Sequence, residues 1–92
     1  MSKVTHTRAR KAEDAALAVI EHGLDTSELL AHDIGRSVKT ARTRLDHAVI
    51  LGLLTKHRRP TPTGGPDSVY YRPTAVGRKI LDRAIHQRRS RG

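Results

Sequence analysis

The chain has no cysteine, tryptophan or phenylalanine, and two tyrosines are its only aromatic residues. Without cysteine there is no disulfide framework, no zinc ribbon and no redox pair, a composition that fits a reducing compartment. Two tyrosines are too few for the aromatic platforms on which single-strand and RNA binders stack bases. No apolar run reaches the length of a membrane span, and the start MSKVTHTRARK lacks the apolar core of a signal peptide. These absences lead us to expect a soluble, cytoplasmic chain with no membrane partner. Its 92 residues allow one domain with a modest core.

Acidic charge is scarce as well: 9 Asp and Glu against 18 Lys and Arg give a formal net charge of +9. The charges are also segregated. Residues 1–11 carry Lys3, Arg8, Arg10 and Lys11 and no acid, whereas residues 12–35 carry Glu13, Asp14, Glu21, Asp25, Glu28 and Asp33 and no base. From Arg36 onward, 14 basic residues stand against Asp46, Asp67 and Asp82. A merely solubilising surface needs no such division, so the pattern points to a side that faces a polyanion.

Catalytic constellations are missing too. The histidines at 6, 22, 32, 47, 57 and 86 include no pair at i, i+3 or i, i+4, and no cysteine supports them as ligands. Nothing resembles a nucleophile and base pair, a phosphate-binding loop or paired carboxylates. We therefore expect neither an enzyme nor a metal or cofactor.

What is present is helical periodicity broken by turn residues. Residues 1–7 show no period and read as a flexible basic arm. Ala12, Ala15, Ala16, Val19 and Ile20 then recur at helical spacing, and Gly23 is placed to stop that first helix. Asp25 stands three before Glu28, the spacing of a capping box, and opens a short helix holding Leu29 and Leu30. Gly35 supplies a tight turn and Ser37 caps a third helix over 37–51. A short helix, a glycine turn and a longer helix make a helix-turn-helix pattern.

On the third helix, Val38, Ala41, Leu45, Ala48 and Val49 group on one side. Lys39, Thr40, Thr43 and His47 group on the other, with Arg36 at the start and Arg42 and Arg44 on the flanks. Gly52 ends this helix. Two strands, LLTKHRR and SVYYR, surround the turn-forming PTPTGGPD, giving a hairpin over 54–72 with a long and floppy tip, one tyrosine in the core and one out. Thr74 can cap a fourth helix, on which Val76, Ile80 and Ala84 share one face and Leu81 and Ile85 another. A frayed basic tail at 88–92 closes the chain. The fold class is mainly α with a small β-hairpin, one α+β domain over 8–87.

ELLAHDIGRSVKTARTRLDHAVILGLL, followed by a hairpin and YYRPTAVGRKIL, resembles the winged helix-turn-helix of bacterial and archaeal transcription regulators of the MarR, PadR and ArsR groups. The likeness covers roughly 12–85. Its most specific parts are the Leu-Gly-Leu step at Leu51 to Leu53, and the run from Tyr71 to Leu81, which is similar to the strand exit and helix start of MarR and PadR proteins. Metal-sensing ArsR relatives carry cysteines on the second helix, and ELLAHD has none, which excludes thiol-based metal sensing there. The resemblance implies a nucleoid-associated regulator of duplex DNA, with the third helix in the major groove and the hairpin as a wing.

On that reading Lys39, Thr40, Thr43 and His47 face base edges, while Arg36, Ser37, Arg42 and Arg44 meet phosphates or frame the groove. Lys56, Arg58 and Arg59 would lie along the backbone from the wing. Leu17, Leu81 and Ile85 fall outside the main stripes and are candidates for a two-fold interface in a homodimer. The alternatives are a recombination directionality or replication accessory factor, and a winged-helix module for protein or RNA.

Overall fold

The structure, a computed structural model, describes the backbone of residues 6–91 and the side chains of residues 8–87. Four helices and one hairpin follow in the order α1 (His6–His22), α2 (Ser27–Ile34), α3 (Val38–Ile50), β1 (Leu54–Arg59), β2 (Ser68–Pro73) and α4 (Ala75–Arg91). Residues 1–5 of the expected arm lie outside the described residues, whereas His6 and Thr7 already belong to α1. At the other end, 88–91 continue α4 where a separate frayed tail was expected. No described helix is long and apolar enough to cross a membrane.

Alanine decides how the first three helices meet. Ala12 and Ala16 of α1 and Ala41 and Ala48 of α3 are all completely buried, so short side chains let the two helices approach closely. Leu30 from α2, Leu45 from α3, Leu54 from β1, Tyr71 from β2 and Leu81 from α4 fill the remaining space. Each buried leucine contributes about 1.5 to 3 kcal/mol.

Local chemistry sets the helix ends. Gly23 and Gly35 both take φ of 65°, the left-handed conformation that glycine adopts without a Cβ penalty. Ser37 caps α3 by accepting the Thr40 N–H. The start of α2 differs from the capping-box expectation: Thr26, not Asp25, is the cap, accepting the Leu29 N–H at 3.2 Å. The reason lies in the hairpin, because the Asp25 carbonyl accepts the Tyr71 N–H at 2.8 Å and holds Asp25 in the connection before the helix.

In the hairpin, β1 and β2 pair antiparallel from Leu54 opposite Pro73 to Arg59 opposite Ser68. Two bonds lie within its tip: Thr61 Oγ1 donates to the Pro66 carbonyl at 2.6 Å, and the Gly64 N–H to the Thr61 carbonyl at 3.0 Å.

The start of α4 is clamped to the exit of α3. The Thr74 N–H donates to the Leu53 carbonyl at 3.0 Å, and the Thr74 hydroxyl donates to the Gly52 carbonyl at 2.6 Å while accepting the Gly77 N–H at 2.8 Å. Gly77 lies so close to this turn that an added Cβ would sit on the Leu53 carbonyl and within 2.9 Å of Leu53 Cα.

That clamp rotates α4 so that Leu81, one turn beyond Gly77, points into the core. Leu17 and Leu81, expected at a two-fold interface, are buried within a single chain, and Ile85 is half-buried against the same core. The exposed apolar residues of α4 are instead Val76 and Ile80. Val38, expected on the inner side of α3, is also exposed, because it stands in the first turn beyond the reach of α1 and α2.

Gly77→Ala should lower unfolding stability by about 1 to 3 kcal/mol, the range for forcing an extra methyl into a closed contact. Gly65→Ala is the control, since its new Cβ would meet only Thr61 Cγ2, at 3.9 Å. Denaturant midpoints of the two variants check this, and equal midpoints would show that the turn yields to the methyl.

Candidate nucleic-acid interface

Helix α3 presents two unlike flanks. On one, Lys39, Thr40, Thr43, Arg44 and His47 join Arg8 and Lys11 of α1 around an open concavity of about 350 Å³. All of the ionisable residues lining it are basic or histidine. Lys39 and Thr43 are exposed at its outer edge, while Thr40, Arg44 and His47 are half-buried. Ser37 and Thr40 are tied together at the start of the helix: the Ser37 hydroxyl donates to Thr40 Oγ1 at 3.0 Å while accepting the Thr40 N–H at 3.1 Å. The Thr43 hydroxyl donates to the Lys39 carbonyl at 3.0 Å. Arg36 is exposed in the turn before the helix and does not line the concavity.

The opposite flank faces the hairpin and is built as a structural joint. The buried Tyr71 donates its hydroxyl to Asp46 Oδ1 at 2.7 Å, and Lys56 Nζ approaches the same oxygen at 3.5 Å. Burial first, and then the bond to Asp46, push the Tyr71 phenol far above its ordinary range. Arg42 lies beside this joint, lining the same cleft as Glu28, Lys56 and Tyr71. Arg42 and Lys56 thus sit in a mixed-charge cleft, apart from the cationic concavity.

The hairpin separates two residues that the sequence reading treated as a pair. Strand alternation puts Arg58 on the face of Lys56, opposite Val69, and puts Arg59 on the face of His57 and Tyr70. On that second face His57 stacks on Tyr70 with ring centroids 5.2 Å apart, and the Arg59 guanidinium lies 5.0 Å from the Tyr70 ring centre. Stacking of this kind orients the guanidinium while leaving its N–H donors available.

Chemically, the first flank is a row of fixed cations beside two small hydroxylated side chains, a surface suited to phosphates and base edges. The structure brings Lys39, Thr40, Thr43, Arg44 and His47 of the expected set around one concavity and adds Arg8 and Lys11, which the sequence alone gave no role. A signal was there: Arg8 and Lys11 stand one helical turn before Ala12 and Ala15, so extending the α1 stripe backward puts both cations on its inner edge.

No family model matches this chain. Nor does any curated protein or solved structure match it. The functional reading therefore rests on geometry and charge.

The Tyr71 to Asp46 joint makes a prediction about alkaline stability. Tyr71→Phe keeps the ring and removes the bond, and should cost about 1 to 2 kcal/mol. The phenol ordinarily titrates near 10.0 and is raised in the fold. Its stabilising contribution is therefore complete below that pH and is lost as pH rises above it. Urea unfolding at neutral and alkaline pH should show the wild type converging on the variant as the pH climbs. A constant gap between them would mean that the phenol carries no such linkage.

Proposed function

We propose that this chain is a winged helix-turn-helix protein that binds duplex DNA as a transcriptional regulator. Helix α3 enters the major groove and the β1–β2 hairpin serves as the wing. The observation that carries the reading is the concavity in which Arg8, Lys11, Lys39 and Arg44 frame Thr40, Thr43 and His47 without an acid among them. Helix diameter supports it, since a helix with its side chains, about 10 to 12 Å across, fits a major groove about 12 Å wide. The order α2, Gly35 turn, α3 and hairpin supports it as well. Such a protein resides with the chromosome.

Lys39 and Arg44 are assigned to phosphates or guanine edges, Thr40, Thr43 and His47 to the groove floor, and Arg8, Lys11 and Arg36 to the backbone. Arg58 and Arg59 extend the contact from the wing. Arg42 and Lys56 lie outside the concavity, in a cleft with Glu28 and Asp67, and take a lesser part; Lys11 and Arg44 also border a cleft with Asp14 and Asp33, which offsets part of their charge. An A-form RNA duplex is a poor substitute, its major groove being too deep and narrow for side chains to read.

The test is log affinity against log salt for a duplex selected by the protein from a random pool. Each lost phosphate contact should reduce the slope by about one unit, so Lys39→Ala with Arg44→Ala should lower it by about 2 and Lys11→Ala by about 1. A salt-independent affinity, or equal competition by duplex RNA, would replace this reading with a protein-interaction or RNA-binding module.

A further inference from the structure

Beyond Lys39, one line of α3 carries exposed methyl groups. Ile50, the last residue of the helix, is 64% exposed, the most exposed of the large hydrophobic residues among those described. It lies seven residues from Thr43, and at about 100° per residue the two differ by only about 20° around the axis. Lys39 stands one turn earlier on nearly the same line. The outermost ridge of α3 therefore runs Lys39, Thr43, Ile50, a cation followed by two methyl-bearing side chains.

Two hydrogen bonds determine what this ridge can offer. The Thr43 hydroxyl donates its proton to the Lys39 carbonyl, which leaves Thr43 with a methyl group and lone pairs as its outward chemistry. Asp46, the nearest acid on the helix, is bonded by the Tyr71 hydroxyl and approached by Lys56. Its carboxylate is thereby tied to the hairpin side.

Resting on the duplex-binding reading above, we propose that Thr43 and Ile50 read the 5-methyl groups of thymines in the major groove. The thymine methyl is the apolar group that a base pair presents there, and apolar side chains are its natural contacts. Seven residues of helix rise about 10.5 Å. At about 3.4 Å per base pair, the two side chains address positions about three base pairs apart. The target thus carries thymines, on either strand, at that separation, next to the base pair met by Lys39.

Deoxyuridine tests this, since it differs from thymidine only by the methyl group. Starting from a duplex selected from a random pool, each thymine is replaced singly by deoxyuridine and the affinity is measured by fluorescence anisotropy. The wild type should lose about fourfold at each of two thymines about three base pairs apart, the value of one buried methyl. Ile50→Ala should be insensitive to one replacement and Thr43→Ser, which keeps the hydroxyl, to the other.

Both side chains are exposed, and circular dichroism and thermal midpoints should match the wild type. Intact duplex binding with no deoxyuridine penalty, or a selected motif without such thymines, overturns the methyl reading and leaves duplex binding standing. A penalty that persists in both variants assigns the methyls to other residues and overturns it too. If the wild type self-associates and Ile50→Ala dissociates it with an unchanged scan, Ile50 belongs to an interface between copies. Absence of salt-sensitive duplex binding removes the underlying function itself.

Discussion

Tyr71 holds the hairpin to the helices at three points at once, and the arrangement of charge around α3 depends on it. Its ring is buried, its hydroxyl bonds Asp46 on α3, and its backbone N–H bonds the Asp25 carbonyl between α1 and α2. A buried phenol must find an acceptor, and α3 supplies one acidic side chain within reach. Lys56, directly across the ladder from Tyr71, is drawn to the same carboxylate. The surface ion pair contributes little by itself, about 0 to 1 kcal/mol. Its larger effect is to commit one flank of α3 to structure, which keeps the Asp46 carboxylate out of the concavity shared with α1.

A second joint lies three residues beyond Tyr71, where β2 gives way to α4. Thr74 bonds the turn that leaves α3 and caps α4 with one hydroxyl, and Gly77 makes room for the Leu53 backbone. The exit of α3, the last residue of β2 and the first turn of α4 are thereby locked together. The run from Tyr71 to Leu81 has a physical basis in this: tyrosine for the core and the acceptor on α3, threonine for the cap, glycine for the approach, leucine for the core beyond it.

Local chemistry was the legible part of the sequence. Stops at Gly23, Gly35 and Gly52, caps at Ser37 and Thr74, and a hairpin around the Pro/Gly-rich tip all follow from residues within four positions of the feature. What depended on packing was not legible. On α4 two apolar stripes, Val76 with Ile80 and Leu81 with Ile85, look equivalent, and only the Gly77 contact turns the second one inward. Leu17 seemed spare because the core was drawn too narrow. Asp25 looked as good a cap as Thr26 until the Tyr71 N–H claimed its carbonyl. The α3 part of the candidate site is grouped by helical spacing, and the same spacing puts Arg8 and Lys11 at the edge of the α1 stripe, but that this edge borders α3 depends on the closeness of two alanine-lined helices.

That closeness also changes the meaning of the charge division along the chain. In the sequence, a basic N-terminal segment is followed by an acidic one. In the fold, Arg8 and Lys11 belong to a helix, and they line the concavity beside Lys39 and Arg44. A cation on an ordered helix has already lost its backbone freedom on folding, about 1 to 2 kcal/mol per residue, and does not lose it again when an anion arrives. Glu21, on the same helix, lies instead along a separate cleft with Leu17 and His22, away from that concavity. The sign change along α1 is thus graded in space: Glu21 lies outside the concavity, whereas Asp14 borders the adjoining cleft together with Lys11 and Arg44.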